Sequence, residues 1–128
     1  MKFLLDTQLV LWAASSPRKI PKKVRTLLQH PDSALFFSAA SLWEIAIKNS
    51  LGRKDFKANP GLLRRGLLDN GWQELPITGS HAIAVEYLPA IHKDPFDRIL
   101  LAQAKVEGFV LLTTDSKVSQ YPDSAQLV

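Results

Sequence analysis

The chain has 128 residues, 46% hydrophobic and 22% charged, a balance that fills one core and excludes wholesale disorder. It has no cysteine, which removes disulfides, thiolate metal sites and cysteine nucleophiles together. Sixteen Lys and Arg against twelve Asp and Glu give +4 and a pI near 9.5, a mild lean toward polyanionic partners. No apolar stretch reaches the roughly 18 residues of a membrane span. Met1-Lys2-Phe3-Leu4-Leu5 begins like a secretory leader, but Asp6 and Gln8 interrupt it. The expectation is one soluble, cytoplasmic domain over residues 1–128.

In chain order, Phe3-Leu4-Leu5 reads as a strand, Asp6-Thr7-Gln8 as a turn, and Leu9 to Trp12 as the start of a helix. Pro21 suits the first turn of a second helix with Val24, Leu27 and Leu28 on one face. Ala34 to Phe37 is a second strand, and Ser38-Ala39-Ala40-Ser41 opens a helix stopped near Gly52. Leu51 to Gly71 is more basic, with a short helix suggested by Pro60, Leu62, Leu63, Leu67 and Leu68. Trp72 to Ile77 reads as a strand and Ser80 to Leu88 as a helix. Pro95 to Glu107 is a helix ended by Gly108, Phe109 to Thr113 an apolar strand, and Ala125 to Val128 a weak edge strand. Strands without alternation, separated by helices, indicate a parallel sheet covered on both faces. The fold class is α/β, with three layers.

Ligands of open parallel sheets bind beyond the carboxyl ends of the strands, near a switch in strand order. Asp6 and Asp115 each follow an apolar strand, Ser38 starts the helix that carries Glu44, and Asp94 and Asp97 open the helix before Phe109-Val110-Leu111. Four segments thus deliver acids to one rim. Each acid also has a structural reading. Asp6 can cap the first helix, Ser41-x-x-Glu44 has capping-box spacing, and Asp94-Pro95-Phe96-Asp97 has the form of a cap, a proline at N1 and an acid at N3. Asp115 can cap Ser116 to Gln120. If Ser38 starts the helix instead, Glu44 lies nearly two turns inside it.

Carboxylates gathered within a few ångström repel one another unless cations intervene. Oxygen donors with only three scattered histidines and no cysteine suit Mg²⁺ or Mn²⁺ rather than zinc. Such ions activate water and stabilise an oxyanion in phosphodiester hydrolysis. Setting aside the four acids leaves 16 basic against 8 acidic residues, the layout of a negative pocket in a positive surface. Arg53, Lys54, Lys57, Arg64 and Arg65 are candidates for phosphate contacts or, equally, an ordinary solvated face.

Other chemistries fit worse. There is no Gly-x-x-x-x-Gly-Lys-Ser/Thr or Gly-x-Gly-x-x-Gly loop. Position 8 is Gln, so an Asp-x-Asp phosphatase motif fails, and no Gly-x-Ser-x-Gly elbow occurs. His30, His81 and His92 have no evident partner, and the Trp and Phe residues lie mostly at core periodicity, which argues against base-stacking platforms.

Phe3-Leu4-Leu5-Asp6-Thr7, Ser38-Ala39-Ala40-Ser41-Leu42-Trp43-Glu44-Ile45-Ala46-Ile47-Lys48, His92-Lys93-Asp94-Pro95-Phe96-Asp97-Arg98 and Leu112-Thr113-Thr114-Asp115 occur in an order that resembles PIN-domain proteins, specifically VapC-type ribonuclease toxins of type II toxin–antitoxin pairs. The resemblance covers essentially the whole chain. It implies a PIN-like parallel sheet flanked by helices and a Mg²⁺- or Mn²⁺-dependent endoribonuclease. Its catalytic and metal-binding acids map onto Asp6, Glu44, Asp97 and Asp115, with Asp94 secondary. It also implies an RNA substrate, a small cognate antitoxin and a homodimer. Thr7 and Thr113 are candidates for orienting water or carboxylates, and Arg98 for pairing with an acid or a phosphate. Two positions depart from the family pattern: Gln8, where many relatives carry His, and Thr114, where Arg is frequent. The alternatives are a noncatalytic RNA- or protein-binding module on the same fold, and a PIN nuclease for RNA processing outside a toxin pair.

Overall fold

The computed structural model describes residues 1–52, 58–121 and 125–128. Five strands form one parallel sheet: β1 (Lys2–Leu5), β2 (Ala34–Ser38), β3 (Gln73–Leu75), β4 (Val110–Thr113) and β5 (Ala125–Leu127). The helices are α1 (Thr7–Ser15), α2 (Lys22–Gln29), α3 (Ala39–Ser50), α4 (Pro60–Asp69), α5 (Gly79–Ala84) and α6 (Pro95–Glu107). The spatial order is β3-β2-β1-β4-β5. The chain therefore builds outward from β1 in one direction, then returns to its other side with β4. That reversal puts the crevice where ligands collect beyond the ends of β1 and β4.

The strands are apolar on both faces because each face has its own core. Phe3 and Leu5 of β1, Phe37 of β2 and Leu112 of β4 pack with Leu9 and Val10 of α1, Val24 of α2, and Leu63 and Leu67 of α4. Leu4 and Leu111 point the other way, against Leu100, Leu101 and Ala104 of α6. Helix α3 reaches both cores, with Ile45 in the first and Ala40 in the second. This is the expected three-layer α/β arrangement.

Two predicted elements differ from the observed ones for local reasons. The strand expected from Trp72 to Ile77 shortens to Gln73–Leu75, because Pro76 cannot donate to a ladder and the Trp72 side chain is drawn into the first core. The helix expected over Ser80 to Leu88 is α5 followed by a 3₁₀ turn, Val85–Tyr87; Pro89 holds Leu88 extended. A further 3₁₀ turn, Pro17–Lys19, precedes α2. Gly108, at φ 73°, closes α6 in the left-handed conformation and lets Phe109 N–H donate to the Ala104 carbonyl at 2.9 Å, turning the chain into β4. Among the described residues no helix is long and apolar enough to cross a membrane.

Candidate metal centre

Asp6 immediately follows β1, and its backbone N–H continues the sheet by donating to the Leu112 carbonyl at 3.0 Å. This residue both caps a helix and lines the cleft at the rim. Its Oδ1 caps α1, accepting from Leu9 N–H at 2.9 Å. Its Oδ2 takes three donors from the end of β4: the Thr114 N–H at 2.9 Å and the Thr113 and Thr114 hydroxyls at 3.1 and 3.3 Å. The carboxyl is buried, and its pKa is raised because burial disfavours the charge more than these hydrogen bonds support it. Thr113 Oγ1 also accepts from Asp115 N–H at 3.0 Å, so one threonine ties two strand-end acids together.

Ser38, not Ser41, caps α3, accepting from Ala40 N–H at 3.0 Å. The capping-box reading of Ser41 and Glu44 is therefore wrong: the helix begins at Ala39 and carries Glu44 inward. The Thr7 hydroxyl donates to Glu44 Oε1 at 2.7 Å and shares a hydrogen bond with the Ser41 hydroxyl at 2.9 Å. Lys48, one turn on, pairs with Glu44 Oε2 at 2.8 Å.

Asp94 caps α6, its Oδ1 accepting from the N–H groups of Phe96 at 2.8 Å and Asp97 at 3.1 Å. That leaves the Asp97 side chain free to turn toward the rim, where its Oδ2 meets His92 Nε2 at 2.8 Å. Its pKa rises to about 6, because burial outweighs the opposing pull of His92, with repulsion from Asp94 and Glu44 adding smaller upward contributions. Asp115 accepts from Lys117 N–H at 2.8 Å through Oδ1 and turns Oδ2 to within 3.6 Å of His92 Nε2. Asp6, Glu44, Asp97 and Asp115, together with Asp94, Thr7, Gln8, Lys48 and Thr114, line one cleft of about 340 Å³. The acids expected on one rim share a single opening.

No curated protein matches the chain. The sequence model of the PIN domain matches residues 3–123. The chain belongs to the PIN domain family. Several solved structures share this PIN fold over nearly the full length of both chains. VapBC2 from Rickettsia felis, bound to a DNA fragment from its promoter, has a TM-score of 0.71 at 14% identity, covering 99% of this chain and 98% of that one. VapBC-1 from nontypeable Haemophilus influenzae has 0.63 at 20%, covering 100% and 97%. A toxin–antitoxin complex from Klebsiella pneumoniae has 0.62 at 18%, covering 96% and 94%.

Several side chains of this PIN domain lie where sequence reasoning did not put them. His92 is the main omission. Far from lacking a partner, its imidazole joins two of the cleft acids, and Nε2 with one oxygen each of Asp97 and Asp115 forms a set of donors within 4.8 Å of one another. The signal in the sequence was its position two residues before the α6 cap, which returns it to the first turn of that helix. His81 is also partnered: it is fully buried and its Nε2 lies 3.0 Å from Glu107. Among the described residues Arg98 contacts no acid; its guanidinium donates to the carbonyls of Val85, Pro89 and His92 at 3.0–3.2 Å. Arg64 is ion-paired with Glu74 at 2.5 Å, and neither it nor Arg65 lines the cleft. Arg53, Lys54 and Lys57 lie outside the described residues. Trp43 departs from the core reading, being 60% exposed with its ring edge-on to Phe96 at 5.2 Å.

Proposed function

We propose that this chain is a Mg²⁺- or Mn²⁺-dependent endoribonuclease, the toxin of a type II toxin–antitoxin pair, and that residues 1–128 act as one nuclease domain in the cytoplasm. The observation that carries the reading is the convergence of Asp6, Glu44, Asp97 and Asp115, from four segments, on one cleft. These four are assigned as the catalytic and metal-holding residues. The donor chemistry fits a hard divalent ion, since the acids supply oxygens and no cysteine competes. The electrostatics fit too: burial raises the pKa of both Asp6 and Asp97, so a cation that offsets the crowded negative charge stabilises the ionised cleft. When bound, the ion would make a water more acidic and offset the charge that develops on a phosphate.

The remaining roles belong to the chain's own groups. Leu9, Thr113 and Thr114 hold the Asp6 carboxylate in one orientation through four hydrogen bonds, and Thr7 does the same for Glu44. Asp94 is assigned as a helix cap that places Asp97, not as a ligand. Lys48 puts a positive charge at the mouth of the acidic cleft, where it lowers the repulsion an incoming RNA phosphate would feel. The VapBC and toxin–antitoxin structures that share the fold support a small protein antitoxin as partner, and a homodimer is proposed as the working assembly.

Purified protein should cleave total cellular RNA when Mg²⁺ or Mn²⁺ is supplied and stop in excess EDTA; full activity under chelation would refute the metal reading. Induction in cells should arrest growth, and Asp6→Asn at equal soluble expression should not. If both grow normally, the toxin assignment fails even where the nuclease assignment stands.

A further inference from the structure

We propose that His92 is itself a metal ligand beside Asp97 and Asp115, making a mixed nitrogen–oxygen site that prefers Mn²⁺ to Mg²⁺. The inference rests on the metal-dependent reading above and adds a ligand and a selectivity to it.

The first argument is spacing. His92 Nε2 lies 2.8 Å from Asp97 Oδ2 and 3.6 Å from Asp115 Oδ2, and the three donor atoms fall within 4.8 Å of one another. Donors about 2.1 Å from a common ion are roughly 3 Å apart when adjacent and about 4.2 Å apart when opposite. The three atoms thus need only small adjustments to share an ion, which would take the place of the hydrogen now joining His92 to Asp97.

The second argument is how His92 is held. Its backbone N–H donates to the Tyr121 hydroxyl at 2.8 Å, and its carbonyl accepts from Arg98 Nη1 at 3.2 Å. Arg98 also reaches the Tyr121 hydroxyl at 3.2 Å, and Tyr121 is only 2% exposed. Two side chains from α6 and the segment after β4 therefore clamp both sides of the residue. This is the support that a ligand on a loop requires to keep its ring aimed at a site. Arg98, in the same helical turn as Asp97, thus spends donors on the main chain that leads into and positions His92.

The third argument is chemical. Mg²⁺ takes oxygen ligands and holds its waters tightly, whereas an imidazole nitrogen suits transition metals. A site of carboxylates alone discriminates little between Mg²⁺ and Mn²⁺ by donor type; adding His92 tips it toward Mn²⁺.

The full-length chain loaded with Mn²⁺ should show imidazole-nitrogen coupling in its electron spin-echo spectrum, and His92→Gln should abolish it. In titration calorimetry the same variant should weaken Mn²⁺ binding by roughly 10–100-fold and Mg²⁺ binding far less. Bound Mn²⁺ without nitrogen coupling in the wild type, or equal losses for the two ions, would overturn the assignment and reduce His92 to a hydrogen-bond partner of Asp97. Failure of the underlying reading looks different. In that case Mn²⁺ does not bind at all, or binds with an affinity that Asp6→Asn leaves unchanged.

Discussion

Asp97→Asn should make the metal-free protein more stable while destroying its activity. The Asp97 carboxyl keeps its proton to about pH 6, against 3.8 for the free side chain. At 1.36 kcal/mol per pH unit, that gap means ionisation costs the folded state about 3 kcal/mol. The sign follows from proton counting. Between 3.8 and about 6 the folded chain holds the proton and the unfolded chain has lost it, so stability falls as pH rises through that window and the full penalty stands above it. Asparagine has nearly the same shape and no charge. It gives up the charge-assisted bond with His92, which returns part of the gain, leaving about 1–2 kcal/mol or roughly 3–8 °C in Tm for a domain of this size. Calorimetric unfolding in EDTA at pH 7.5 and pH 4.5 separates the cases. The variant should melt higher at pH 7.5 and lose that advantage at pH 4.5. With excess Mn²⁺ the ranking should reverse, because only the wild type gains substantially from binding. A variant less stable than wild type by the same amount at both pH values would refute the reasoning, because Asp97 would then be anchored by His92 and not strained by its neighbours.

Asp94→Ala should behave differently from Asp97→Asn, costing about 0.5–2 kcal/mol as a lost helix cap with a smaller drop in cleavage, as read by urea unfolding and a single-turnover RNA assay. Thr7→Val should cost about 1–3 kcal/mol by leaving buried polar groups unpaired and slow cleavage roughly ten-fold or more by releasing one oxygen of Glu44. An unchanged rate would show that Lys48 alone keeps that carboxylate in place.

Much of this protein is written locally. The strand-then-acid patterns at Asp6 and Asp115, the Asp94-Pro95 helix start and the Gly108 stop are each set by a few neighbouring residues, because caps, fixed proline φ angles and left-handed glycines act over a single turn. Apolar runs at β1 and β4 similarly state that both faces of the sheet are covered. Those signals suffice for the α/β class and for placing four acids on one edge. The tertiary structure decided which local reading each residue takes. Asp6 and Asp94 both cap a helix, but only Asp6 is also gripped by donors from β4, more than 100 positions away in sequence. His92 and Arg98 acquire their partners through Tyr121, a residue 29 and 23 positions distant. No local pattern encodes such pairs, since they depend on where α6 and the end of β4 come to rest. The raised pKa values of Asp6 and Asp97 belong to the same class, because desolvation exists only once other elements have closed over the carboxyl groups.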